Sequence, residues 1–159
     1  MEKKYWGFRI YKDKSAFFME ELLNNKVLRQ GWGFREDQNL RNLTSTDIAD
    51  KRNLKMLDVR KDDLVFIPKL FNTETVTLAK ALKDWNVGYK YSISKETGET
   101  GDCDFGHMFP AQFLFNIKLS CVSTVLRNKL NVPHRFWKIK GCTKEIETLI
   151  QTNIYGANI

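Results

Sequence analysis

Leu64-Val65-Phe66-Ile67-Pro68-Lys69-Leu70-Phe71 is an apolar run opened by the charged corner Arg60-Lys61-Asp62-Asp63. With almost no polar alternation, it reads as a strand buried on both faces. Pro68 cannot donate a ladder hydrogen bond, so it marks a bulge or an edge. Asn72-Thr73-Glu74 then separates the run from Thr75-Val76-Thr77-Leu78-Ala79-Lys80, a spacing that predicts a hairpin with a short loop.

Further strands are expected on either side of this hairpin. Trp85, Val87, Tyr89, Tyr91 and Ile93 alternate with Asn86, Gly88, Lys90 and Ser92, which predicts a half-buried strand. Residues 94–103 are polar and punctuated by glycine, as in a surface loop. Phe113, Phe115, Ile117 and Leu119 alternate again, followed by the β-branched stretch Val122 to Val125, and Arg135 to Lys140 reads as the last strand. Thr143 is placed to cap a closing helix with an apolar stripe of Ile146, Leu149, Ile150 and Ile154, and with Glu145 and Glu147 at its positive end. Towards the N-terminus, Tyr5 to Tyr11 predicts a first strand. Ser15 is expected to cap a helix over Ala16 to Leu23, stopped at Asn24-Asn25, and Thr44 with Asp47 resembles a capping box for a helix reaching Asn53. The class expected is α+β: one domain over residues 1–159, with about six or seven strands rolled into a barrel and flanked by short helices.

The chain has 159 residues, 42% of them hydrophobic, which excludes a disordered tail. Its 26 Lys and Arg against 19 Asp and Glu leave a formal charge of +7, the balance expected of a partner for a polyanion. Cys103, Cys121 and Cys142 have no paired spacing, so buried reduced thiols are expected rather than disulfides or a zinc site. The start lacks an apolar h-region, and no run approaches the roughly 20 apolar residues of a membrane span; a soluble cytoplasmic protein is expected.

Motifs for common chemistries are absent. No Gly-rich loop ends in Gly-Lys-Ser or Gly-Lys-Thr, and neither His-Glu-x-x-His nor a paired Cys-x-x-Cys occurs. Asp102, Asp104, Glu96 and Glu99 lie close together but lack a following strand-borne Glu-x-Lys of the kind a nuclease would use. No catalytic residue, metal or cofactor is therefore assigned.

Two stretches remain specific. In Gly31-Trp32-Gly33-Phe34 the flanking glycines leave the tryptophan free to wall a flat pocket, or to sit in the core beside a turn. In Asp104-Phe105-Gly106-His107-Met108-Phe109-Pro110 the histidine could donate to a ligand or cap a buried carbonyl, and Asp104 could fix the turn. Together with Trp6-Gly7-Phe8-Arg9 and the apolar strand ending at Phe71, this order resembles the PUA-like superfamily. It is most similar to the EVE-type and related N-terminal domains of modification-dependent restriction proteins. The polar loop at 94–103 and the proline in the strand depart from the EVE pattern.

The resemblance implies a compact barrel binding nucleic acid, DNA in preference to RNA, with an extruded modified (methylated) base in an aromatic cage. It implies that Trp32 lines the cage and that Phe71 and Asn72 stand at its rim; Trp85 is a further wall by residue type. Trp6, Phe8, Gly31, Gly33, Asp104 and His107 are expected near the pocket. Arg9, Arg35, Lys69, Lys80 and Lys90 are candidate phosphate contacts, or solvated surface charges. The expected role is a non-enzymatic targeting module in a restriction or antiviral defence system, with a nuclease or NTPase effector as partner. The alternatives are a small metal-dependent nuclease or other hydrolase using Asp104 and His107, and a protein-interaction module.

Overall fold

A computed structural model describes residues 2–31, 39–43, 48–92 and 105–156. Its strands are β1 (Tyr5–Phe8), β2 (Val27–Gln30), β3 (Leu64–Pro68), β4 (Thr75–Ala81), β5 (Lys90–Tyr91), β6 (His107–Lys118) and β7 (Phe136–Ile139). Its helices are α1 (Ser15–Asn25), α2 (Ile48–Leu54), α3 (Trp85–Gly88), α4 (Thr124–Leu130) and α5 (Thr143–Gly156). The strands form one mixed sheet in the order β2-β6-β4-β3-β1-β7, with β5 also paired to β6. The β1–β3 pair is parallel, whereas β3–β4, β4–β6, β2–β6, β5–β6 and β1–β7 are antiparallel. A register shift at Leu78/Ala79 interrupts the β4–β6 ladder, a kind of irregularity that bends a sheet. The sheet curls into a half-barrel, and the class is α+β.

The apolar run 64–71 is central because both of its faces are covered. Val65 and Ile67 join Trp6, Phe8, Ala79, Phe109 and Trp85 in one core, closed by Phe18 and Leu22 of α1. Leu64 and Phe66 join Tyr5, Val76, Leu78, Ile117 and Ile139 in a second, closed by Leu126 and Leu130 of α4 and Ile146 of α5. The absence of alternation in the sequence thus reflects two hydrophobic layers on one strand.

Several local expectations are corrected. Pro68 marks neither a bulge nor an edge: β3 is interior, and Pro68 ends it, beyond the last residue that β1 pairs, so its missing N–H leaves that ladder intact. Lys69 then turns the chain at a φ of 63°. Of the stretch 85–93 expected as one strand, Ile93 lies outside the described residues, and the rest is not one strand: Trp85–Gly88 is helical and Lys90–Tyr91 alone pairs in the sheet. Trp85 and Tyr89 are buried four residues apart across the turn of α3, while Val87 between them is 73% exposed. A period of two in the apolar residues concealed a helical pair. Val122 to Val125 turns into α4, because Ser123 caps that helix by accepting from Leu126 N at 3.1 Å and is itself held by Glu145. Ser15 starts α1 without acting as a side-chain cap; a 3-10 turn at Lys12–Lys14 leads into the helix instead. Cys121 is exposed rather than buried, and Cys103, Thr44 and Asp47 lie outside the described residues. Among the described residues, no helix is long and apolar enough to cross a membrane.

Candidate nucleic-acid interface

The two ends of the strand order, β2 and β7, come together at one side chain. Gln30, the last residue of β2, is buried, and its Nε2 donates to Arg9 O at 2.8 Å and to Arg135 O at 3.3 Å. Arg9 N also donates to Arg135 O at 2.9 Å. The backbone just past β1 is thereby locked to the backbone just before β7, and two arginines distant in sequence line one groove.

That groove has a volume of about 670 Å³ and is lined by Arg9, Tyr11, Lys12, Gly31, Lys69, Arg135 and Trp137, with Asp13 as a carboxylate among them. Burial, and next the charge of Arg9, lower the Arg135 pKa, though a guanidinium remains charged in a protein. Two cations held together repel each other, and an anion between them relieves that repulsion. Aromatic surface is also present: Tyr11 is 47% exposed, and Trp137 is steadied by its indole N–H, which donates to Lys129 O at 2.9 Å. Cations beside accessible rings are the elements that hold nucleotide phosphates and bases.

Across the segment 133–137 lies a second groove of about 880 Å³, lined by Arg52, Lys55, Asp58, His134, Lys138 and Lys140 around Trp6 and Phe136. Trp6 and Phe136 stack with centroids 5.0 Å apart and planes 15° from parallel. Asp63 Oδ2 accepts the Trp6 indole N–H at 2.9 Å.

Behind these surfaces His107 is 0% exposed, with Nδ1 2.7 Å from the Tyr89 hydroxyl. The same hydroxyl accepts from Leu40 N at 3.1 Å. Burial, then the charge of Arg135, lower the His107 pKa to about 3, which keeps the imidazole neutral near pH 7. It is enclosed by its neighbours and does not face solvent. Among the described residues no three His, Cys, Asp or Glu side chains are grouped to hold a metal ion.

The predicted site residues are dispersed. Arg9, Lys69 and Gly31 share the first groove, and Trp6 lies at the second. Trp85 is not an open wall: it is 0% exposed, packs on Phe109 and Phe136, and donates its indole N–H to Pro110 O at 3.1 Å. Phe8 is likewise core, edge-on to Trp85 and Phe109. Phe71 and Asn72 form the β3–β4 turn, where Phe71 leans on Phe113 and Asn72 Oδ1 accepts from Glu74 N at 2.9 Å. Lys80 pairs with Asp62 at 3.8 Å, and Lys90 lines a separate recess of about 500 Å³ with Arg41 and Tyr89. Trp32, Gly33, Arg35 and Asp104 lie outside the described residues.

Sequence reasoning missed Gln30, Tyr11, Arg135, Trp137 and the cations of the second groove. The run Arg135-Phe136-Trp137-Lys138, two rings between two cations, was a usable signal, since successive side chains of a strand point to opposite faces and each face here carries one ring and one cation. The sequence matches no protein-family model and no curated protein.

Proposed function

We propose that this chain is a nucleic-acid reader with a PUA-like barrel, taking up an extruded modified (methylated) base and serving as the targeting module of a cytoplasmic restriction or defence assembly. DNA is the preferred polymer, and cleavage or nucleotide hydrolysis belongs to a partner. The observation that carries this reading is the convergence of Arg9 and Arg135 on one groove with Lys69, Tyr11 and Trp137. Such a groove suits phosphate contacts beside stacked bases. Gly31 lies on the same groove, and Trp32, the cage residue implied by the resemblance, follows it in the chain.

The test is a fluorescence titration of methylated and unmethylated duplexes at several salt concentrations. Affinity falls steeply with salt, and Arg9→Ala weakens binding to every sequence while lowering the salt slope by about one. Trp32→Ala loses about 1 to 3 kcal/mol of preference for the modified site and leaves the salt slope in place. No binding to any duplex or single strand at low salt removes the reading.

A further inference from the structure

Two cation-lined grooves lie side by side, and one stretch of chain divides them. Pro133, Arg135 and Trp137 line both. This divider is braced from below. Arg135 O accepts from Arg9 N and from Gln30, Trp137 donates to Lys129 O, and β7 pairs with β1 from Phe136 opposite Phe8 onward. Its crest, Pro133 and His134, is exposed. One flank carries Arg9 and Lys69, the other Lys55 and Lys138.

We infer that the 133–137 segment is a strand divider, with one phosphodiester backbone tracked along Arg9 and Lys69 and a second along Lys55 and Lys138, so that the preferred ligand is a duplex opened over the crest. This rests on the nucleic-acid reading and adds to it the form of the polymer. A lone single strand follows one positively charged track. Two tracks separated by a rigid rib engage fully when two backbones pass on either side of it. Cations outnumber the single carboxylate in each groove, Asp13 in one and Asp58 in the other, so a polyanion that reaches both flanks releases more counterions than one confined to a single groove. Opening a pair costs a few kcal/mol, least where pairing is already lost, so a duplex with a central unpaired stretch arrives with that cost met.

The experiment compares three labelled DNAs at one salt concentration: a duplex with a central mismatched stretch, the fully paired duplex, and one of the single strands. The variants are Lys69→Glu and the pair Lys55→Glu with Lys138→Glu, all exposed positions, with circular dichroism to confirm folding. Wild type is expected to favour the opened duplex over the single strand about tenfold, with each variant weakening the opened duplex about fivefold or more and lowering its salt slope by about one per lost phosphate contact. The single strand is expected to lose affinity in one variant and not in the other. If Lys55→Glu with Lys138→Glu leaves the opened duplex unchanged while Lys69→Glu weakens it, the second track is overturned and the reader reading stands. Equal affinity of wild type for all three DNAs also overturns the divider. Failure of wild type to bind any of them overturns both.

Discussion

Gln30 Nε2 lies 3.3 Å from Arg135 O and 2.8 Å from Arg9 O, so one amide joins the end of β2 to the start of β7. Replacing it leaves the Arg9 carbonyl without this donor in a part-buried position. Gln30→Ala is expected to lose about 1 to 2 kcal/mol of stability in urea denaturation. Nucleic-acid affinity should fall with it, since Arg9 and Arg135 lose a shared anchor. Unchanged stability would mean that water replaces the amide without loss.

Asp63 is a second joint. The carboxylate is 3% exposed and accepts from Lys4 N at 3.0 Å, Trp6 Nε1 at 2.9 Å and Arg60 N at 3.0 Å. Asp63→Ala strands three donors at once, two of them on the backbone. A loss of about 3 kcal/mol or more is expected in thermal or chemical unfolding. Trp6→Phe, which removes one of these donors and keeps an aromatic ring, should cost clearly less.

Gly7 faces Trp137 across the β1–β7 pair, and a Cβ added at Gly7 would clash with the indole ring at its Cε2. Gly7→Ala is therefore expected to destabilise by about 1 to 3 kcal/mol through overpacking. In a Trp137→Ala background the same change should be nearly neutral. A double-mutant cycle measures this; equal penalties in both backgrounds would show that the ring does not set the limit.

The buried His107 makes stability depend on pH. Its pKa is lowered to about 3 in the fold from an ordinary value of 6.5, by burial first and the Arg135 charge second. Below the unfolded value the unfolded chain takes up a proton that the native state refuses. Stability from this group is therefore complete above pH 6.5 and is lost as pH falls towards the folded value. The slope is at most about 1.4 kcal/mol per pH unit. Denaturation between roughly pH 5 and 6.5, above most carboxylate titration, isolates it. His107→Gln should flatten the curve in that window; an unchanged slope would assign it to another group.

The strands near 5–8, 64–68, 75–81 and 136–139, and the 113–118 part of β6, were legible because their apolar residues outweigh local alternatives, whereas the start of β6 at His107 was not. Val65 and Phe66, buried in different cores, show why an unbroken apolar run signals a covered strand. The alternation from Trp85 to Ile93 predicts a strand because Trp85 and Tyr89 satisfy a period of two and a spacing of four equally well. The choice fell to Val59 O, which accepts from Trp85 N, and to Asp84 O, which accepts from Gly88 N.

Charge and aromatic content were determined by the sequence itself, and they already pointed to a basic protein with rings in excess of any single motif. Which rings are core and which line a groove was decided by tertiary structure. Trp85 and Trp137 are the same residue type, yet one is enclosed by Phe8 and Phe109 and the other borders both grooves. Arg9 and Arg135 share a groove because β1 and β7 pair and Gln30 ties their carbonyls. That convergence depends on contacts between segments far apart in the chain, whereas periodicity and propensity report on neighbours, so the groove became visible once the sheet had curled.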